Sequence, residues 1–279
     1  MYEAFRYPSF QRMENKYHET KITYCLISPM KKNDKLISVI TVVRNDVSHI
    51  SSTIESVLSQ THSAIEFIVI DGASTDGTKE MIEKYADRLK CWISEPDKGV
   101  YDAMNKGIAL STGDFVYFLN SGDTLLSSTT LADMHLEQVE DKNSIVYGNV
   151  LAKYWDGEYV EKPKPFFDTC MKFKGIGINH QTMFFPGDVI RQYKYDLRFR
   201  IAADYDMAYR MWKQGIKFLY SDVTVARYEW GNGISSNPNK LLDVYRENAK
   251  VCHQEMSPLY WLKMMLEYYR LWKKRRSVI

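Results

Sequence analysis

The chain has no run of eighteen or more apolar residues, which leaves no candidate for a membrane-spanning helix. Met1 to Thr20 is polar and aromatic with no apolar centre, so no secretory leader is expected. Cysteine is scarce. Cys25, Cys91, Cys170 and Cys252 stand far apart without a CxxC pair, which argues against a disulfide scaffold or a zinc knuckle. Reduced thiols in a cytoplasmic protein are the expectation. An excess of one charge is missing too: 37 basic against 35 acidic residues give a net charge of only +2. Internal repeats and low-complexity stretches are absent. What remains is 279 residues, 45% hydrophobic and 26% charged, enough for one large α/β domain or a domain with an appended subdomain.

The small net charge hides an asymmetry. Ser257 to Ile279 holds Lys263, Arg270, Lys273, Lys274, Arg275 and Arg276 against the single acid Glu267. The body is therefore slightly acidic and no nucleic-acid surface is expected, while the tail is a basic appendage.

Periodicity organises the chain. Residues 1–35 lack it and read as an N-terminal arm. Leu36 to Val43 is a β-branched apolar run, the pattern of a strand buried on both faces. Ile50, Ile54, Val57 and Leu58 recur at helical spacing, predicting a helix over 48–60. Strands at 66–70, 91–93 and 114–119 follow, with helices starting near Asp76, near Val100 and over 128–140 between and after them. Four strand–helix alternations with short connections predict a mostly parallel sheet with helices on both faces over 36–140. Beyond that point the pattern changes. Residues 144–186 read as antiparallel strands and loops, 203–215 as a helix, 217–229 as two strands, and 239–255 and 258–275 as helices. The expected division is an arm (1–35), a nucleotide-sugar-binding half (36–140), an acceptor and catalytic-base half (141–236) and C-terminal helices (237–279).

Ligands of open parallel sheets bind outside the carboxyl ends of the strands. Four successive strand ends here carry Asp71, Asp97 with Asp102, and Asp123, beside Arg44-Asn45-Asp46. Ser74, Asp76 and Asp97 could also be helix N-caps, since these residue types cap and turn. Capping alone does not readily explain so many acids at one rim.

The segments ISVITVVRN, SVLSQTH, EFIVIDGASTDGT, SEPDKGVYDAMNKGI and GDFVYFLNSGD, in that order, resemble family 2 glycosyltransferases, in particular the branch holding O-antigen and capsular polysaccharide transferases. The resemblance runs over roughly 36–235. It implies a GT-A-like α/β fold, a nucleoside-diphosphate sugar donor with UDP the commonest carrier, a divalent Mg²⁺ or Mn²⁺, and inversion at the anomeric carbon. It also implies a saccharide acceptor, often lipid-linked, met at the cytoplasmic face of a membrane. By the same resemblance Val42, Arg44, Asn45, Asp71, Lys98, Asp102, Lys106 and Gly122 fall at nucleotide-sugar positions. Asp123, the surviving acid of a DxD motif reduced to Asn120-Ser-Gly-Asp, falls at the metal position. His180 and Gln181 fall on the acceptor side, and Asp204 in Ala-Ala-Asp-Tyr-Asp at the base position. Two positions depart from the family: an aromatic residue is common where Arg44 stands, and an acid follows Asp71 in some members where Gly72 stands here.

The chemistry behind that assignment is coherent. A departing diphosphate gathers negative charge that a hard cation can neutralise, and such ions need only one or two protein carboxylates when phosphate oxygens supply the rest. A nucleophilic hydroxyl must lose its proton to a nearby carboxylate. Asp206, two residues after Asp204, points about 200° round the helix and cannot share the role. Gly231-Asn-Gly-Ile-Ser235 resembles the family's late glycine-containing loop. Two alternatives stay open. A nucleotidyltransferase would carry a glycine-rich phosphate loop after the first strand, which Arg44-Asn45-Asp46 is not. A catalytically impaired sugar-nucleotide-binding protein is favoured only by the thinned DxD motif.

The tail reads as an amphipathic helix. Lys263, Glu267, Arg270 and Lys274 share one stripe, and the other faces carry Tyr260, Trp261, Tyr268, Tyr269 and Trp272 among Leu and Met. About 15 residues make roughly 22 Å, too short to span a bilayer. Peripheral contact through 257–279, with Lys273 to Arg276 facing anionic lipid, is the expectation, and packing on the catalytic domain or a second chain is the alternative.

Overall fold

A computed structural model describes residues 35–163, 177–229 and 240–253, and all of 257–269 except 263, 267 and 268. The arm up to residue 34, Cys25, Cys170, the Gly231–Ser235 loop and the basic run from Lys273 lie outside the described residues.

The chain opens with β1 (Ile37–Val43), α1 (Ile50–Leu58), β2 (Ile65–Asp71), α2 (Thr78–Glu83), β3 (Cys91–Ser94), α3 (Val100–Leu110) and β4 (Phe115–Phe118). It continues through β5 (Thr124–Leu125), α4 (Thr130–Asp133), β6 (Ser144–Tyr154), β7 (Gly157–Glu161), β8 (Met183–Pro186) and α5 (Gly187–Ile190). Then come α6 (Ala203–Lys213), β9 (Lys217–Glu229) and α7 (Leu241–Val251). One sheet runs in the order β3-β2-β1-β4-β8-β6-β9-β5, with β7 added beside β6. The first four strands pair in parallel, as the alternation predicts. Antiparallel pairing begins where β8 meets β4, so both halves of the chain share one mixed α/β sheet.

Every residue of β1 is buried. Alternation sends Ile40 and Val42 to the face covered by α3 and α6, and Val39 and Val43 to the face covered by α1 and α2. Helix α3 lies close to the sheet because Gly107 has no side chain: a Cβ there would meet Ile40 at 2.4 Å. At the far end of the sheet from the site, Glu66 is buried and accepts hydrogen bonds from Ser38 Oγ and from the backbone N–H groups of Thr112 and Gly113. This ties β1, β2 and the turn before β4 together.

Three local expectations change. The helix predicted over 128–140 is one turn, α4, followed by a 3₁₀ turn at Leu136–Gln138, because His135 takes a left-handed φ of 48° that no α-helix continues through. The two strands predicted at 217–229 are the single β9, which pairs with β6 in parallel and with β5 antiparallel, its irregularity absorbed by register shifts near Asn149. None of Ser74, Asp76 and Asp97 is an N-cap. Glycines precede α2 and α3, while Asp76 and Asp97 accept from the N–H two residues on and close the turns beforehand.

Candidate functional site

Strand order reverses between β1 and β4: the chain leaving β1 heads for β2 on one side of it and the chain leaving β4 for β5 at the opposite edge of the sheet, and a crevice opens at such a switch point. Here it is a cavity of about 1000 Å³. Its floor comes from Val42 to Asp46 after β1 and Asn120 to Asp123 after β4. Its far wall comes from Asn179 to Gln181, Tyr195 and the start of α6, and α3 adds Val100, Tyr101 and Met104. Eight of the expected site residues therefore meet on one wall or another: Val42, Arg44, Asn45, Gly122, Asp123, His180, Gln181 and Asp204.

Four others do not line the cavity, and each has a physical reason. Asp71 is fully buried at the end of β2, where its carboxylate accepts from Ser74 N and Oγ and from Ser94 Oγ at 2.6 Å. It fixes the loop that carries Ser74, and Ser74 Oγ in turn accepts from Asn45 N at 2.7 Å. Asp102 accepts from the Lys98 backbone N–H at 3.0 Å and closes the first turn of α3. Lys106 pairs with Glu95 at 2.7 Å. Helix α3 thus turns its apolar and aromatic side, not its charges, to the cavity.

The motif Asn120-Ser-Gly-Asp forms a tight turn at the cavity, closed by Asp123 N donating to Asn120 O at 3.1 Å. Gly122 has φ +93°, which a side chain resists, and Ser121 Oγ donates to Asp46 Oδ2 at 2.6 Å. Asp46 also contacts His49, and both line the cavity. The sequence reading passed over them, although Asp46 directly follows the Arg44-Asn45 pair. Burial pushes the Asp123 carboxyl up to about 7, against a hydrogen bond from the Gln181 side chain. Gln181 therefore reaches Asp123 from the opposite wall of the cavity. Among the described residues Asn120 Oδ1 is buried with no hydrogen-bond partner, a state that costs roughly 1–3 kcal/mol until a donor or cation meets it.

Those oxygens fit a hard divalent ion. Among the described residues no group of three His, Cys, Asp or Glu could cage a metal. Asp123 with Asn120 Oδ1 would instead offer the one or two oxygen ligands that Mg²⁺ and Mn²⁺ take when phosphates complete the shell.

Opposite stands Asp204, the second residue of α6. Its Oδ1 accepts from Tyr205 N at 2.8 Å, and its Oδ2 lies 3.7 Å from His180 Nδ1. The other ring nitrogen, Nε2, is 3.2 Å from Asn120 Nδ2. That pairing assigns the proton to Nδ1, facing the carboxylate, with Nε2 accepting from the amide. Burial raises the Asp204 pKa above the ordinary aspartate value, with His180 opposing. Burial also lowers His180, with Asp204 opposing. Asp206 points away, nearly buried and paired with Arg210 Nε at 2.8 Å. The two halves are clasped by Asn105, whose side chain bonds both the N–H and the C=O of Tyr195 at 2.8 and 3.0 Å.

The family model described as glycosyl transferase family 2 matches residues 38–204. The chain is 29% identical over 249 residues to a PGL/p-HBAD biosynthesis glycosyltransferase of Mycobacterium bovis, over 86% of this chain and 91% of that protein. It is 31% identical over 150 residues to the Escherichia coli UDP-Glc:alpha-D-GlcNAc-diphosphoundecaprenol beta-1,3-glucosyltransferase WfgD, over 52% of this chain and 58% of that one. Among solved structures it is similar to the mannosyltransferase PcManGT from Pyrobaculum calidifontis in complex with GDP-Man and Mn²⁺. The TM-score is 0.64 over 88% of this chain and 72% of that one, at 17% identity, a likeness of fold.

Proposed function

Because the chain belongs to glycosyl transferase family 2 and has its GT-A-like fold, we propose that this glycosyltransferase moves a sugar from a nucleoside diphosphate, UDP by preference, to a hydroxyl of a saccharide acceptor, inverting the anomeric carbon. One observation carries the reading: Asp123 and Asp204 come from opposite halves of the chain and face one cavity of about 1000 Å³. The similarity to WfgD, named for a UDP-sugar and a diphosphoundecaprenol acceptor, supports UDP and a lipid-linked acceptor in surface polysaccharide synthesis such as O-antigen or capsule.

In this reading Val42, Arg44, Asn45 and Gly122 receive the nucleotide sugar, and the planar guanidinium of Arg44 stacks on the base. Asp123 and Asn120 would hold a Mg²⁺ or Mn²⁺ ion, which when bound neutralises charge on the departing diphosphate. Asp204 takes the proton of the acceptor hydroxyl as its oxygen bonds to C1. The C1–O bond to the diphosphate breaks on the opposite face, and the electron pair leaves with the diphosphate. His180 holds the carboxylate in place, and Tyr101, whose hydroxyl donates to Ile201 O at 2.6 Å and lies 3.5 Å from Asp204 Oδ1, closes it from the α3 side.

No helix among the described residues is long and apolar enough to cross a membrane. The helical turns at 258–262 and 264–266 pack Tyr260 and Met264 inward on Tyr245 and Ala249 of α7, so Tyr260 does not join the outward surface the sequence suggests. Leu259, Leu262, Met265, Leu266 and Tyr269 are exposed. This outward apolar face, followed in sequence by Lys273 to Arg276, supports peripheral docking on the anionic cytoplasmic face of a membrane.

The test is a panel of UDP- and GDP-sugars, assayed for nucleotide release and for transfer to saccharide-diphospholipid acceptors, with Mn²⁺ and with chelator, and with the product anomer read by NMR. Metal-dependent release from UDP-sugars and an inverted product are expected. No release from any donor, or a retained configuration, overturns the reading.

A further inference from the structure

Helix α6, which carries Asp204, begins without a cap of its own. Ala202 holds the N-cap position and offers no side-chain acceptor; the local side-chain bond in the first turn is that of Asp204 Oδ1, which accepts from Tyr205 N at 2.8 Å. Alanine cannot accept a hydrogen bond there, and the first N–H groups of a helix are orphaned unless something else does. For the N–H of the N-cap and of the two residues that lead into it, the acceptor comes from elsewhere. Glu247, in the middle of α7, places its carboxylate over the turn: Oε1 accepts from Arg200 N at 3.0 Å, and Oε2 from Ile201 N at 2.8 Å and Ala202 N at 2.9 Å. Arg200 N also reaches Oε2 at 3.1 Å. An anion at this end of a helix is favoured by the helix dipole as well.

Three features separate this from an ordinary stabilising contact. The bonded N–H groups belong to residues 200–202, and Asp204 follows by two positions. Arg200, Ile201 and Ala202 also line the cavity. Glu247 itself lies in α7, 43 residues past the end of the family match at 204. From these observations we propose that Glu247 is a positioning residue for transfer: it sets the direction in which α6 starts and thereby aims the Asp204 carboxylate at the acceptor hydroxyl. The C-terminal helices then serve the reaction as well as the docking surface. A displacement of a catalytic group by about 1 Å costs on the order of 100-fold in rate, and a turn deprived of its acceptor can drift that far.

This inference rests on Asp204 being the base, and the experiment separates the two. Glu247→Ala, Asp204→Asn and the double variant are made in the full chain. Donor affinity, kcat, KM and the thermal unfolding midpoint are measured for each. Glu247→Ala should lose about tenfold or more in kcat, keep donor affinity within twofold of the parent, and cause no further loss of kcat in the Asp204→Asn background. A purely structural role would lower the unfolding midpoint and leave kcat per folded molecule unchanged. Parental kcat in folded Glu247→Ala, or a loss that multiplies fully with Asp204→Asn, overturns the proposal and leaves the base assignment standing. Full activity in Asp204→Asn overturns both. If Glu247→Ala does not fold, Glu247→Gln decides. It keeps one accepting oxygen but turns its NH₂ toward the Arg200 N–H, so a threefold or larger loss of kcat supports the role and parental kcat overturns it.

Discussion

His180 Nδ1 lies 3.7 Å from Asp204 Oδ2, beyond hydrogen-bond length but within the reach of charge. The imidazole links the carboxylate to Asn120 of the opposite half, so the start of α6 and the turn after β4 are held through one ring. Removal of the carboxylate charge is the direct test. Asp204→Asn should lower kcat by about 10²–10⁴, the usual share of a positioned general base, while calorimetry shows nucleotide binding intact.

The same pair sets a pH limb. A base works only when deprotonated, and burial raises the Asp204 pKa from the ordinary 3.8. The kcat should therefore fall as pH drops through a value above 3.8, not at it. His180 pulls that pKa down, so His180→Gln should move the limb to higher pH. A profile of kcat between pH 4 and 8 for the two proteins reads both signs, and an unmoved limb removes His180 from the arrangement.

Asp123 makes a separate prediction. With its carboxyl pushed up to about 7, protons and a divalent cation compete for it near neutrality. Mn²⁺-supported UDP affinity should rise as pH increases through about 7 and level off above. In Asp123→Asn the affinity should be weaker and this pH dependence flat. Calorimetry at three pH values with and without Mn²⁺ measures it.

Stability has its own acid limb at the far end of the sheet. Burial pushes the Glu66 pKa up, but the donors from Ser38, Thr112 and Gly113 outweigh it and hold the pKa below 4.5. A carboxylate so depressed stabilises the fold fully above its unfolded pKa and loses that contribution as pH falls through the folded one. Glu66→Ala removes the acceptor of Ser38 Oγ, of Thr112 N and Oγ1 and of Gly113 N, the last of which keeps Ser38 Oγ, and should cost about 1–3 kcal/mol in urea unfolding at pH 7. Glu66→Gln should flatten the acid side of the stability curve.

Membrane contact is best tested on the outward face. A chain ending at Met256 would also uncover Tyr245 and Ala249, which Tyr260 and Met264 cover. Substitution of Leu259, Leu262, Met265 and Leu266 by serine should release the protein from anionic vesicles. Replacement of Lys273 to Arg276 by glutamine should cost roughly 1 kcal/mol per charge. Equal sedimentation of all forms defeats the docking.

Much of this was legible. The apolar β-branched runs gave the parallel strands because burial on both faces leaves no polar alternation to misread. Asp123 stands at a strand end, where a sheet's switch point puts a ligand, whereas the family resemblance alone marks His180 and Asp204. Other parts left no local trace. Asp71 looks like a rim acid, yet two serines close over it, and a carboxylate with its acceptor positions filled cannot be told in sequence from an open one. Glu247 is one charged residue on an amphipathic helix, and its partners are backbone N–H groups 45 to 47 positions away. The break of the 128–140 helix turns on one left-handed residue, His135, of a type that does not advertise it.

Strand β4 has a parallel neighbour on one side and an antiparallel one on the other. The parallel side was built by short local crossovers, and the antiparallel side by a long excursion that returns through β8. Inheritance can act on the two sides separately. Substitutions between β6 and α6 reshape what the cavity accepts without moving β1, β2 or the loop after them. On the proposed function, a lineage carrying this architecture can diversify its acceptors while the donor pocket stays as it was, and related chains should differ most along residues 145–200, apart from His180 and Gln181, which touch Asn120 and Asp123.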